Sequence, residues 1–296
     1  MGLLHLVLTG CALVAAPPAR AQEVPTDYAA FAKTVERMGD FKDGVLRVSI
    51  PRNDLRVTIA GRAVPTPLGF AGWLALTRGD DGVSVMMGDL VLTEQEVNPV
   101  MSALLDSSLD VTALHNHFFH EEPRIFYMHV HGVGTAEDLA RRVRPALALI
   151  GKPSAPQSQL APPATESVSG SAIAAILGHQ GEQNGPVYKV TIGRPDVDVR
   201  AHGAKITSRM GLNTWAAFAG TDGDAIVAGD IAMLGHELTP VLKALRKNGI
   251  EVVAIHHHMT NVQPMMVFLH YFGKGEASTL ARGVRAALDE TGKPSR

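Results

Sequence analysis

The stretch "ALHNHFFHEEPRIFYMHVH" (113–131) is written a second time, altered, as "AIHHHMTNVQPMMVFLHYF" (254–272). Setting Gly88 over Gly229 and reading on without a gap brings Asp89 onto Asp230, Glu96 onto Glu237 and Pro99 onto Pro240. The same alignment carries His115, His117 and His129 onto His256, His258 and His270. Upstream, with a one-residue offset, Arg52, Asp54, Gly61, Gly69 and Trp73 meet Arg194, Asp196, Gly203, Gly211 and Trp215. A repeat of this length is a whole domain, far longer than a solenoid unit. Whatever one copy folds into, the other folds into as well. The boundaries read as a leader over 1–21, a first repeat domain over 22–152, a Pro/Ser/Ala-rich linker over 153–170 and a second repeat domain over 171–296.

The leader is an apolar run (MGLLHLVLTGCALVAA) followed by Ala19-Arg20-Ala21, an A-x-A-like cleavage pattern that predicts a mature start at Gln22. A periplasmic or secreted protein is expected. In the less favoured alternative, Leu8-Thr9-Gly10-Cys11 is a lipobox and the protein a lipoprotein, with membrane anchoring only if Cys11 is lipidated. Cys11 is the only cysteine, so cleavage after Ala21 excludes disulfides and thiol catalysis. No other apolar run reaches membrane-spanning length, so no transmembrane segment is expected. A net charge of −2 and 5% aromatic residues argue against nucleic acid as a partner.

Each copy reads as helix, strands, helix, strand, strand, helix. Helices are expected around 28–38 and 171–177, and strands over 46–50, 55–60, 73–77 and 83–92, the last two joined across Gly79-Asp80-Asp81-Gly82. In the second copy, strands over 214–219 and 225–233 precede a helix that would start with Thr239 as N-cap and Pro240 at N1 and stop at Asn248-Gly249. Sequential hairpins predict an α+β fold: a tandem repeat of two similar domains, each an antiparallel sheet with helices packed on one face. Packing of the two copies as an internal pseudo-dimer is a further expectation.

Nine of the 13 histidines fall in the two hairpins. Residues i and i+2 of a strand share a face, so His115 and His117 point one way, and His129 with His131 share a face on the returning strand. Imidazoles from neighbouring strands with a carboxylate make a divalent-metal site, for which Zn stands foremost and Ni, Cu or Fe are acceptable. The first copy has the fuller set: His115, His117 and His129, with His120 and His131 as further candidates. His256, His258 and His270 form a weaker second set, and His257 faces the other way. Glu96 and Glu122 are the candidate general bases. Glu96 also fits a capping box with Thr93, although Leu234 at the matching position of the second copy leaves Glu237 unexplained by capping. Asp89 and Asp230 read as turn or bulge residues, Trp73 and Trp215 as core. No G-x-S-x-G or H-E-x-x-H occurs.

The two hairpins, with "LARRVRPAL" and "LARGVRAAL" after them, resemble the LppY/LpqO family of exported bacterial proteins. The family's pattern of H-N-H, E-x-P-R and F-x-H is matched by His115, Asn116, His117, Glu121 or Glu122, Pro123, Arg124, Tyr127 and His129, while the second copy departs from it at Gln263 and Met265. The resemblance implies a duplicated domain and an exported compartment, and no particular reaction. Three functions remain in competition. The first is a protein of unknown specific activity with a divalent-metal site in the first repeat. The second is a metal-dependent hydrolase using Glu96 or Glu122. The third is a metal-free module that binds a small ligand or a partner.

Overall fold

The computed structural model describes residues 22–151, 166–260 and 262–294. The expected leader with Cys11 and its cleavage point, most of the linker, and Asn261 lie outside the described residues.

The first repeat runs α1 (Thr26–Thr34), β1 (Gly39–Lys42), β2 (Val45–Pro51), β3 (Val57–Ile59), β4 (Arg62–Val64), β5 (Ala71–Arg78), β6 (Ser84–Thr93), α2 (Glu94–Asp106), β7 (Asp110–His115), β8 (Glu121–Glu122), β9 (Ile125–Gly134) and α3 (Ala136–Leu147). The second follows as α4 (Gly170–Leu177), β10 (Gly181–Asn184), β11 (Val187–Gly193), β12 (Arg200–Ala201), β13 (Ala204–Lys205), β14 (Asn213–Gly220), β15 (Ala225–Leu234), α5 (Leu238–Lys247), β16 (Glu251–His256), β17 (Met266–Gly275) and α6 (Ala277–Leu288). The main sheets are six-stranded and fully antiparallel, with matching orders β1-β2-β5-β6-β9-β7 and β10-β11-β14-β15-β17-β16. The α+β architecture expected for each copy is what forms.

Each sheet has two buried faces. Leu74, Leu76, Met86, Leu90, Met128 and Val130 pack under the helices with Leu104, Leu139 and Val143. The alternate residues of the same strands, Ala75, Val85, Met87, Val91 and Tyr127, pack against residues of the other repeat. A strand covered on both sides has no need of a polar face, which is why β6 and β15 are near-continuous apolar runs. The molecule is thus layered helix, sheet, sheet, helix, and the two copies form the expected pseudo-dimer.

The segment expected as a strand over 55–60 is not part of the main sheet. Its core, β3, pairs with β4 and β8 in a small separate sheet. This arm carries Leu55, Val57, Leu68 and Phe70 into a cluster with Ala217, Ile226 and Phe272 of the second repeat. Reciprocally, Val197, Val199, Ile206 and Met210 of the second arm cluster with Val45, Val85 and Met87 of the first repeat. The two repeats clasp each other. Backbone and side-chain bonds cross the seam: the Asp80 amide donates to the His202 carbonyl (2.9 Å), the Thr112 hydroxyl to the His258 carbonyl (2.9 Å), and Arg47 to the Arg209 carbonyl (2.9 Å).

Two boundaries differ from expectation. The first helix ends at Thr34, short of Met38, and the helix expected from Thr239 is preceded by a 3₁₀ turn over Gly235–Glu237, so Thr239 is inside the helical run. The Glu237 carboxylate accepts from the Leu234 amide at 2.7 Å and does the capping that Thr239 was expected to do.

Candidate metal centre between the repeats

The β7–β9 register sets Ala113 opposite His129 and His115 opposite Tyr127, with a bulge between Val111 and Ala113. The β16–β17 pair repeats it: Ala254 opposite His270, His256 opposite Phe268, and a bulge between Val252 and Ala254. The parity places His115 and His129 on one face and His256 and His270 on the matching face, both directed at the seam. His117 and His258 lie just beyond the strand ends and fold back into the same space.

Six buried imidazoles therefore converge, three from each repeat. Their closest pairings cross the seam: ring centroids are 3.9 Å apart for His115–His256, 3.6 Å for His117–His270 and 4.1 Å for His129–His258. Two groups have nitrogen atoms all within 4.8 Å of one another, His115 with His256 and His270, and His129 with His256 and His258. Each group takes residues from both copies, where two separate sets, a fuller one in the first copy and a weaker one in the second, were expected.

Backbone carbonyls fix three of the tautomers. Nδ1 of His129 lies 3.1 Å from the Gly88 carbonyl, Nδ1 of His270 3.1 Å from the Gly229 carbonyl, and Nδ1 of His258 3.0 Å from the Gly211 carbonyl. A carbonyl only accepts, so each Nδ1 carries the proton and each Nε2 offers a lone pair. Among the described residues, Nε2 of His129 and His270 and both nitrogens of His115, His117 and His256 have no hydrogen-bond partner. Burial, reinforced by neighbouring imidazoles, holds His115, His117, His129, His256 and His270 well below the usual histidine value, and His258 at about 3. The rings are neutral, the form that binds metal.

Asp89 and Asp230 complete the centre. They sit opposite His129 and His270 in the sheet registers. Asp230 Oδ2 lies 3.2 Å from His258 Nε2 and 4.0 Å from His270 Nε2, and Asp89 Oδ2 lies 3.9 Å from His117 Nε2. Since His258 Nε2 carries a lone pair, an ionised Asp230 would face it acceptor to acceptor. Only a proton or a cation between them relieves that contact. Without a cation, burial pushes both carboxyls up to about 8, with the Asp230 charge adding to the rise at Asp89. The donor set of neutral imidazoles and paired carboxylates thus fits a divalent cation.

The remaining candidates lie elsewhere. Glu96 does not face the histidines. Its oxygens accept from Arg52 (2.7 and 3.1 Å), the Thr93 amide (2.8 Å) and the Gly151 amide (2.7 Å). Glu237 repeats this with Arg194, the Leu234 amide and the Gly292 amide. The buried arginine, not the cap alone, explains both glutamates. Glu122 is exposed on β8, and its neighbour Glu121 is the buried one, with both carboxylate oxygens unpartnered among the described residues. The Tyr127 hydroxyl, likewise buried and unpartnered, stacks its ring on His117 at 3.2 Å. Glu121 and Tyr127 have no chemical counterpart in the second copy, where Val262 and Phe268 stand. His120 is exposed at the turn with φ 59°, and His131 is drawn to Asp110 at 3.6 Å, so neither joins the centre. His257 Nδ1 donates to the Met266 carbonyl, away from it (3.0 Å).

A cleft of about 440 Å³ opens beside the centre, lined by Asp89, Asp230, His117, His258 and His270 and, above them, by Trp73 and Trp215. The tryptophans, expected as core, pack against the buried clusters between the repeats and at the same time form cleft walls. Each packs against a glycine of the other repeat: a Cβ at Gly211, whose φ is +94°, would sit 2.8 Å from the Trp73 ring.

Fold and centre together define a class, a duplicated α+β protein whose halves enclose a shared His/Asp centre. The chain belongs to the family described as Domain of Unknown Function (DUF1259), whose model matches it twice, over 29–149 and 171–290. No curated protein matches it. Among solved structures it is similar to the trimeric bacterial microcompartment shell protein PduB, at 11% identity and TM-score 0.22, over 86% of this chain and 90% of that one. It is also similar to EtuB from Clostridium kluyveri, at 12% identity and TM-score 0.20, over 86% and 91%. Among the described residues no helix is long and apolar enough to cross a membrane.

Proposed function

We propose that this chain is an exported protein of the LppY/LpqO kind that holds divalent metal, zinc foremost, between its two repeats. One observation carries the reading: the buried imidazole nitrogens of both repeats converge within 4.8 Å in two groups, and those of His115 and His256 lack any other partner among the described residues. Buried polar atoms are normally satisfied, and a cluster of unsatisfied lone pairs is what a cation would satisfy. A hydrolytic activity of the bound metal is the second reading, favoured by the cleft that leads from the surface to the centre. Its general base would be Asp89 or Asp230, which line that cleft, since Glu96 is consumed by Arg52 and Glu122 points elsewhere.

The test is metal content by mass spectrometry on the tag-free mature chain. Bound zinc is expected in the parent protein, with a large and similar loss in His115→Ala of the first repeat and His256→Ala of the second. Loss in His115→Ala alone would move the site into the first copy. No metal, even after reconstitution with Zn, Ni, Cu or Fe, would leave the histidines as the wall of a metal-free pocket.

A further inference from the structure

Above the His/Asp floor, the cleft has a second layer built to the same pseudo-two-fold pattern. From the first repeat, Arg47 on β2 lies over the Trp73 ring, its guanidinium carbon 4.2 Å from the ring centroid. From the second, Lys189 on β11 lies over the Trp215 ring, its Nζ 4.3 Å from the centroid. Arg47 and Lys189 occupy equivalent positions of the two copies, and all four side chains line one cavity. Neither cation is paired with a carboxylate among the described residues: the hydrogen bond that Arg47 donates goes to the Arg209 carbonyl. Indole faces attract and orient a cation while leaving its N–H groups directed at the open space. Two half-buried cations held in this way, without counter-ions, are the usual protein half of an oxyanion site.

We propose that the cleft binds a small organic oxyanion, a carboxylate or a phosphate ester, with its acid group held between Arg47 and Lys189 and its body lying between Trp73 and Trp215. The proposal deepens the metal reading, because a divalent cation on the floor offsets Asp89 and Asp230 and leaves the cleft positive. With that cation bound, Arg47 and Lys189 outnumber Glu182, the remaining acid on the wall, while Arg209 is paired with Asp40 at 2.7 Å. The volume of about 440 Å³ suits a small metabolite and lies within the range of about 300–1,000 Å³ typical of ligand pockets. Positive charge along the path, cations outside and metal within, would draw the acid group inward. The chemistry selects anions and discriminates against amines.

Trp73 and Trp215 are the only tryptophans of the chain, so tryptophan fluorescence, excited apart from that of the tyrosines, reports on this cleft. Citrate, benzoate and inorganic phosphate would be titrated into the full mature chain, with metal content measured on the same samples. A saturable fluorescence change with at least one of the three is expected. It should weaken at least tenfold, about 1.4 kcal/mol, in Arg47→Met and Lys189→Met and persist in Lys189→Arg, with metal content unchanged in all three variants. The methionines keep the side-chain length, and circular dichroism verifies their fold; should either methionine variant not fold, loss of binding in Lys189→Gln with retention in Lys189→Arg decides the matter. No saturable change with any probe, or equal binding in the methionine variants, overturns the proposal. Metal present without anion binding sinks this proposal and leaves the metal reading intact, while anion binding lost in the variants of a metal-free protein upholds the anion site and sinks the metal.

Discussion

Glu96 and Glu237 each accept from a buried guanidinium and from two backbone amides, one at the helix start and one at Gly151 or Gly292 near the end of the repeat. Such a carboxylate has no lone pair left for a proton in transit, and its role is to tie the chain ends of each repeat together. Glu96→Gln should therefore destabilise the protein by about 3 kcal/mol, the order expected when one partner of a buried ion pair is removed, in urea unfolding, while metal content stays that of the parent. Loss of metal without loss of stability would reverse the assignment. Arg52 and Arg194 had already shown themselves in the repeat alignment, but nothing in a sequence says that an arginine 44 positions upstream closes on a given glutamate. The histidines were legible because strand parity needs only the spacing of neighbours. Asp89 and Asp230 followed the same parity with His129 and His270 and were misread, because a Gly-Asp pair in a strand is also what a bulge looks like. Glu121 and Glu122 differ by one residue and so by one face, and only the pairing of β8 with β3 decides which of them is inside.

At the scale of the elements, the central strands tolerate nothing extra on the side that faces the helices. A Cβ at Gly229 of β15 would run into the Trp215 carbonyl and the Tyr271 hydroxyl, and the backbone carbonyl cannot swing away. Gly229→Ala should cost about 3 kcal/mol, the upper end for overpacking a tight interior, measured by chemical denaturation. Gly223, in the turn before β15, has nothing within 4 Å of a Cβ, and Gly223→Ala serves as the neutral control. Equal melting of the two variants would mean that the strands part more easily than their packing implies. Most strands were readable, since runs such as Val83 to Leu92 are long and apolar. The arms were not, because β3 and β4 are three residues each and owe their shape to the facing repeat, not to their own alternation. The same holds for the early start of the helical run at Gly235, set by the carboxylate of Glu237 folding back on the Leu234 amide.

The whole molecule is two copies joined across a seam that holds six buried, neutral histidines. The repeat and its fold class were visible in the sequence, but a shared centre was not, because which faces of two sheets meet depends on contacts across more than a hundred residues. The seam has a consequence for pH. A histidine whose folded value is depressed binds its proton in the separated state and not in the closed one, so the closed state loses stability as pH falls below the ordinary imidazole value of 6.5. Each such residue contributes about 1.4 kcal/mol per pH unit in that direction. Asp89 and Asp230 act oppositely: with values raised from 3.8 to about 8, they hold protons in the closed state between those limits and so favour it as pH falls. Six groups against two give the histidines the balance in the metal-free chain. The cost falls on the docking of the repeats rather than on either helix-covered core, whose clusters contain no histidine or carboxylate. Acidification of the chelated protein below 6.5 should therefore change the fluorescence of Trp73 and Trp215 before the far-ultraviolet circular dichroism is lost, and bound zinc should move the first transition to lower pH. A single transition seen equally by both signals, or a docking that strengthens with acid, would show that the histidines do not control the seam.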